Sequence, residues 1–381
     1  MSSVPPRNPT YKRLMQRWLM IIKRLISGEL EHLLTVNQSR RPWHMPMVAA
    51  IAISFPIFIG AYFNSISSGI KASLGAMVIL NLPFTGSLPQ RLVTVMAWGF
   101  AMSLCFALGL IAQQVAVIKV PVFALIAFAI VVLGRYYSQP PPAGLFVMMS
   151  TAIALFIPVS LSQILSATGL VMLGSGFSLI MALLYSLFLL ATRPRTALPR
   201  DSYQPETLSE SIMVAGFVSL ALSIALLLQM SYPYWAAVSC FIIIQGIHLR
   251  TMWVKQFHRL LGTLIGMGLA AWMLSWQLSS WQVATAIFIM MLGIESLVDR
   301  HYGLAVIFIT PLTIFIAEYG SGLPLSKQIY QQVIQARMLD TALGCLVGIS
   351  GGLATQSSLL RLPLGRLERR LLQRFGTDPK D

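Results

Sequence analysis

The sequence predicts an all-α polytopic membrane protein with about twelve transmembrane helices in two parallel six-helix repeats. Of its 381 residues, 56% are hydrophobic and only 10% are charged, whereas a soluble domain carries roughly 25% charged residues. The apolar residues gather into twelve stretches close to the length that crosses a bilayer. Stretches of the first half also reappear, in the same order, in the second half.

The twelve apolar stretches divide the chain into two halves with polar ends. They cover residues 46–64, 69–85, 92–113, 118–134, 143–162, 168–191, 210–230, 233–249, 259–275, 281–297, 302–318 and 338–356. We therefore expect a basic amphipathic cytoplasmic segment (1–45), a first six-span half (46–191), a short cytoplasmic linker (192–209), a second half (210–356) and a basic cytoplasmic tail (357–381).

The distribution of basic residues favours this count of spans. With twelve spans, every Lys and Arg lies on the same side as the N-terminus except Lys71, Lys119, Lys327 and Arg337. Positive residues concentrate in cytoplasmic loops, so both termini are expected in the cytoplasm. The net charge of +15 is therefore explained by topology, and we expect no nucleic-acid partner. The amphipathic stretches 11–26 and 359–376 are instead suited to anionic lipids.

The internal repeat is weak in each segment but consistent in order. Residues 144–157 align with 303–316, residues 173–184 with 343–354, and Arg91 with Arg259 at the start of the third and ninth spans. Because six is an even number, both halves enter the membrane from the same side, as in the parallel repeats of some transporters.

An arginine and an aspartate stand three residues apart at the outer end of the twelfth span. On a helix, Arg337 and Asp340 would share one face and could form an ion pair that fixes the helix start. The alternative is a functional site, in which Arg337 attracts a substrate carboxylate and Asp340 exchanges a proton. The aligned residues of the first half, Ala167 and Leu170, are uncharged.

Other polar residues at span ends and helix breaks are further candidates for the substrate or proton pathway. Broken helices and buried charges are tolerated where they line a cavity or find protein partners. Each residue also has a simpler interpretation, as a membrane anchor, a solvated helix end or a kink. The set is Lys71, Asn81, Arg91, Gln245, Arg259, Thr310 and Glu318.

Small and aromatic residues have structural interpretations. Glycines at helical spacing predict close helix packing in lipid, and they are Gly262, Gly266, Gly344, Gly348 and Gly352. Aromatic residues near the outer ends of the later spans predict an interfacial belt. They are Tyr232, Tyr234, Trp235, Trp272, Trp276 and Trp281.

The sequence contains no motif for enzymatic chemistry. It has no P-loop and no HExxH, CxxC or GxSxG pattern. Cys105, Cys240 and Cys345 lie in three different apolar stretches, which is typical of packing residues. We expect neither an enzyme nor a cofactor or metal site.

Three stretches of the second half resemble the fusaric acid resistance family, also called the aromatic acid exporter family. They are "YWAAVSCFIIIQGIHLR" (234–250), "HRLLGTLIGMGLAAW" (258–272) and "ARMLDTALGCLVG" (336–348). The first-half stretch 71–100 resembles the family less closely. Many relatives carry a large cytoplasmic domain between the halves, whereas this chain has about twenty residues there.

The resemblance implies a transporter of the bacterial inner membrane that exports aromatic or other weak organic acids, driven by protons. A periplasmic adaptor or a homo-oligomer is a possible partner. Two alternatives stay open. One is a passive anion channel, since the plant malate channels look like distant relatives. The other is a non-transporting subunit or scaffold of a larger efflux assembly.

Overall fold

The computed structural model describes residues 36, 38, 41–140, 142–192, 207–245, 249–321, 327–357 and 368. Within these ranges the regular structure is entirely helical, with twelve α-helices and no strand. The predicted all-α fold is confirmed, and one helix lies at each predicted span. The helices are α1 Met45–Tyr62, α2 Ile66–Ala76, α3 Leu88–Gln113, α4 Lys119–Tyr136, α5 Leu145–Ala154, α6 Ile164–Thr192, α7 Thr207–Leu227, α8 Tyr234–Ile244, α9 Leu249–Leu274, α10 Ser280–Leu297, α11 Tyr302–Ser321 and α12 Lys327–Gln356.

The polar ends fall mostly outside the described residues. The amphipathic stretch 11–26, most of the linker and nearly all of the stretch 359–376 lie there. From the tail, Glu368 is described. Its carboxylate accepts hydrogen bonds from the backbone N–H groups of Leu208 and Ser209, both at 3.1 Å. A carboxylate at this position satisfies the free N–H groups in the first turn of α7.

The twelve helices differ in length more than the sequence predicts. Nine of the helices in the described ranges are long and apolar enough to cross a membrane. The three shorter ones are α2, with a 3-10 extension to Asn81, α5 and α8. Nearly all residues of α5 and α8 are buried by neighbouring helices. Irregular backbone at membrane depth is tolerated where protein surrounds it, which accounts for helices shorter than the bilayer.

Two other helices begin earlier than predicted. The sequence places the ninth span at 259–275 and the twelfth at 338–356, but α9 starts at Leu249 and α12 at Lys327. The stretches that precede the apolar windows are polar but rich in good helix formers, so the helices continue through them. Arg259 and Arg337 therefore lie about three turns inside their helices, not at the helix starts.

The helix contacts repeat between the two groups of six. In the first group α2 packs on α6, α3 on α5 and α6, and α1 on α2. In the second group α8 packs on α12, α9 on α11 and α12, and α7 on α8. The contacts between the two groups are also paired. The contact of α1 with α10 corresponds to that of α7 with α4, and the contact of α2 with α11 corresponds to that of α8 with α5. A six-helix repeat with a two-fold axis along the membrane normal predicts this pattern.

In each group of six, two helix backbones come very close at a glycine, and the two helix pairs correspond to one another in the repeat. A Cβ on Gly174 of α6 would clash with the carbonyl oxygen of Ala72 on α2. A Cβ on Gly344 of α12 would clash with the carbonyl oxygen of Ala236 on α8. Glycine at these positions lets two helix backbones come into direct contact, the usual role of small residues in membrane helices.

The other candidate packing glycines also face neighbouring helices. Gly348 would place a Cβ against Cys240 of α8, and Gly352 against the Met252 side chain of α9. Gly262 and Gly266 of α9 lie against the α11 backbone and against Val306 and Thr310, respectively.

Ion pairs join the two groups of helices at both of their larger interfaces. Arg41, just before α1, contacts Glu295 of α10 at 2.7 Å and Asp299 at 2.9 Å. Arg135 near the end of α4 pairs with Glu210 in the first turn of α7. These charges are all paired, in contrast to the buried arginines described below, and Glu295 is the buried member of the set.

The glycine contact at α6 generates a prediction for stability. We expect Gly174→Ala to lower stability by roughly 1–3 kcal/mol, because the added methyl group forces α2 and α6 apart. The thermal unfolding midpoint of the purified protein in detergent measures this effect.

Gly176 on the same helix is the matched control, since a Cβ there meets nothing within 4 Å. We expect Gly176→Ala to be neutral or to stabilise by up to about 1 kcal/mol, because alanine is the better helix former. Equal midpoints for the two variants would contradict the described packing of α6 on α2.

Candidate functional site

Arg337 is a buried arginine, and two of its three guanidinium nitrogens have no hydrogen-bond partner among the described residues. Only 3% of the residue is exposed. Its guanidinium carbon lies 3.3 Å from the centre of the Trp235 ring on α8. Its Nη2 donates a hydrogen bond of 2.6 Å to Thr313 Oγ1 on α11. The Nε and Nη1 groups have no hydrogen-bond partner in the described part of the chain. The cation–π contact and one hydrogen bond thus hold the side chain and leave two N–H-bearing nitrogens unused.

Asp340 lies one helical turn from Arg337 and is fully buried, at 0% exposure. Neither of its carboxylate oxygens has a hydrogen-bond partner among the residues that the structure describes. The predicted ion pair between Arg337 and Asp340 does not form. The reason is that Arg337 is drawn to the Trp235 face and Thr313 on the neighbouring helices. The two charges are close in the chain but are not neutralised by direct contact.

Glu318 and Tyr232 stand at the α11 end nearest this pair. The Tyr232 hydroxyl donates to Glu318 Oε1 at 3.4 Å. Burial and the neighbouring Glu318 carboxylate raise the pKa of Tyr232 to about 12, so this hydroxyl stays protonated and remains a donor. Glu318 is itself only 8% exposed, so it is not the solvated helix end that its sequence position suggests.

Arg259 of α9 is a second buried arginine in the same group of helices, with 4% exposure. Its Nη2 donates to Ser239 Oγ on α8 at 2.9 Å, and its Nη1 donates to the Tyr302 hydroxyl at 3.3 Å. Its Nε has no partner. Thr310 lies between these groups on α11 and donates to the Val306 carbonyl oxygen within its own helix. The second half thus brings together Arg259, Thr310, Glu318, Arg337 and Asp340.

Asn81 and Arg91 are the two buried candidates of the first half. Arg91, 4% exposed, donates from Nη2 to the Phe84 carbonyl oxygen at 3.0 Å, while its Nε and Nη1 have no partner. Asn81, 8% exposed, ends the 3-10 turn after α2, and neither side-chain polar atom has a partner. Arg91 sits in the first turn of α3, whereas Arg259 lies deep in α9, so the two arginines are not structurally equivalent.

The remaining candidates lie at the edges of these groups. Lys71 on α2 is partly buried and forms no ion pair with a described residue. It follows Ser67 by one turn, and Ser67 donates to the Gly320 carbonyl oxygen of α11 at 2.7 Å. Lys71 thus shares the α2 face that meets the end of α11. Gln245 caps the C-terminal end of α8, away from Arg337.

Sequence reasoning missed the residues that hold the two buried arginines. Trp235 and Tyr234 are 4% and 6% exposed, so their assignment to an interfacial aromatic belt is wrong. Trp272, Trp276 and Trp281 are more than half exposed, as a belt requires. Thr313, Ser239 and Tyr302 have no local signal, because they meet the arginines only through the packing of α8, α9, α11 and α12. Among the described side chains, no cluster of three or more His, Cys, Asp or Glu could hold a metal ion.

Part of the chain is similar to known proteins. Residues 220–351 match the family described as fusaric acid resistance protein-like. A 145-residue segment is 26% identical to an uncharacterized membrane protein of Bacillus subtilis (strain 168), YvaC. That match covers 38% of this chain and about a fifth of the relative, 22% of its length. No solved structure matches the chain.

The matched family and the apolar helices establish a multi-pass membrane protein. The matched residues run from the end of α7 into α12 and include Arg259, Arg337 and Asp340. Residues 220–351 are therefore similar to the fusaric acid resistance protein-like family, in agreement with the resemblance found in the sequence.

Proposed function

We propose that this protein is a transporter of the bacterial inner membrane that exports aromatic or similar weak organic acids in a proton-coupled cycle, with both termini in the cytoplasm. Arg337 binds the carboxylate of the substrate, and Asp340 exchanges a proton. The observation that carries the proposal is the pair of buried ionisable side chains one turn apart on α12, which form no ion pair with each other.

The physical argument starts from the cost of these charges. An unpaired charge in an apolar interior is destabilising by several kcal/mol, so such groups persist where function requires them. Arginine presents donors in a planar fork that matches a carboxylate. Trp235 and Thr313 hold the guanidinium and leave Nε and Nη1 for such a ligand.

Proton coupling follows from the position of Asp340. The charge state of a buried carboxyl group depends on the charges around it. A substrate anion on Arg337 changes the net charge beside Asp340, so substrate occupancy and protonation depend on one another. The charged and titratable groups near the pair, namely Glu318, Tyr232 and Arg259, contribute to the same balance.

The role of Asp340 can be tested by transport. We expect inverted membrane vesicles with the native chain to take up labelled fusaric acid and 4-hydroxybenzoate faster when a proton gradient is imposed. Asp340→Asn keeps the size of the side chain but cannot ionise, so the gradient-driven component should fall at least about tenfold.

Asp299→Asn serves as the control, because Asp299 is a partly exposed partner of Arg41 far from α12. It should retain gradient-driven uptake. Uptake that ignores the gradient in the native chain would favour a passive anion channel. Absence of uptake of both acids, with normal membrane insertion, would overturn the proposed substrate class.

The role of Arg337 can be tested by substrate affinity. We expect Arg337→Gln to raise the half-saturating acid concentration by about tenfold or more, because a charge-assisted hydrogen bond contributes about 1.5–3 kcal/mol. Arg337→Lys should give an intermediate value, since lysine keeps the charge but loses the fork.

Thr313→Val complements these variants, because it removes the hydroxyl that accepts from Arg337 while keeping the side-chain shape. We expect a smaller increase in the half-saturating concentration and a lower thermal midpoint, because the change leaves a buried guanidinium N–H group without its acceptor. An unchanged half-saturating concentration in Arg337→Gln would exclude Arg337 as the substrate-binding cation.

A further inference from the structure

Arg259 and Arg337 both lie against α8 and contact residues on the same face of that helix. Arg337 covers Trp235, and Arg259 donates to Ser239. Residues four apart on an α-helix share a face and are about 6 Å apart along the axis. The two guanidinium groups thus meet α8 about one turn apart, and each has at least one nitrogen without a partner.

Polar groups on α11 extend this arrangement toward both ends of the helix. Tyr302, the first residue of α11, accepts from Arg259. Thr313 accepts from Arg337, and Glu318 lies one to two turns further on. At 1.5 Å per residue, Tyr302 and Glu318 are about 24 Å apart, which is most of the roughly 30 Å hydrocarbon thickness.

The described residues of the first half show no equivalent arrangement. Residues Ala167 and Leu170, aligned with Arg337 and Asp340, are uncharged. Arg91 bonds a backbone carbonyl group in its own loop and does not lie deep in its helix. The buried polar groups that reach from one end of α11 to the other belong to α8, α9, α11 and α12.

We propose that these groups form a path for anions through the second half alone, with Arg259 as a second anion-binding position before Arg337. We name this set the arginine column: Tyr302, Arg259, Ser239, Thr313, Arg337, Asp340 and Glu318. The nature of the cargo, a carboxylate, rests on the proposed function. The location of the path within the second half, and not between the halves, rests on the contacts of the two arginines.

The electrostatics favour anions over cations in this path. Two buried guanidinium groups repel one another, and the repulsion is strong where water is excluded. An anion at either arginine relieves that repulsion and satisfies an unpartnered N–H group. A cation gains nothing there. Both arginines are almost completely buried in this structure, so a ligand reaches them only when the helices around α8 move.

Cysteine accessibility tests the path without reference to transport. Cys105, Cys240 and Cys345 are first replaced by serine, and Ser239→Cys or Thr313→Cys is then introduced into the full-length chain in membranes. We expect both thiols to react with a sulfonate-bearing methanethiosulfonate at least about tenfold faster than Ser150→Cys. We expect the trimethylammonium-bearing reagent to show no such preference.

Ser150 is the matched control, because it is a fully buried serine of α5, the first-half counterpart of α11. A second comparison tests the charge itself. Arg259→Gln should abolish the preference of Ser239→Cys for the sulfonate reagent. Lys255→Gln, which removes a cation one turn earlier on α9 and outside the column, should preserve it.

The outcomes separate this inference from the proposed function. If Ser239→Cys reacts no faster than Ser150→Cys, or if Arg259→Gln keeps the anion preference, the arginine column is not the path. Gradient-driven acid uptake together with unreactive column thiols would overturn the column and leave the transporter. Reactive thiols without uptake of either acid would confirm an anion path and overturn the proposed substrate class.

Discussion

The close backbone approach of α12 to α8 is the contact on which the candidate site depends. Gly344 stands against the carbonyl oxygen of Ala236, and no larger residue fits there. Two turns before Gly344, the same helix carries Arg337, whose guanidinium covers Trp235 of α8. If α12 were held further from α8, Arg337 would lose this contact and Asp340 would no longer be enclosed. The equivalent approach of α6 to α2 at Gly174 maintains the packing of the first half, but places no charge there.

Much of the fold follows from the sequence because lipid imposes a simple rule. A chain surrounded by hydrocarbon must satisfy its backbone within helices, so twelve apolar stretches predict twelve helices. The helix starts at Leu249 and Lys327 were missed because hydropathy detects contact with lipid and not helix formation. The sequence also does not show that α5 and α8 are short. Their apolar residues are buried by protein, and hydropathy does not distinguish such residues from those that face lipid.

The site was predictable only in part. The unusual charges of Arg337 and Asp340 are visible in the sequence because charge is rare in an apolar stretch. Their partners are not visible. Local spacing predicts an i,i+3 ion pair, but Arg337 instead contacts Trp235 and Thr313, which come from other helices. A single sequence also does not show whether a given side chain is buried or exposed. Trp235 and Trp272 both precede or follow polar loops, yet one is buried and the other is exposed.

The polar contacts between the two groups of helices are ion pairs at one surface of the bilayer and a neutral hydrogen bond at the other. Because the helices alternate in direction, Arg41 with Glu295, and Arg135 with Glu210, lie on one side. The neutral hydrogen bond from Ser67 to Gly320 lies on the other. Dissolved ions weaken exposed ion pairs but leave neutral hydrogen bonds almost unaffected. Arg135 with Glu210, and Arg41 with Asp299, are the partly exposed pairs. The ionic strength of the compartment that they face therefore weakens these contacts between the halves, whereas the ionic strength of the opposite compartment leaves the Ser67 hydrogen bond almost unchanged.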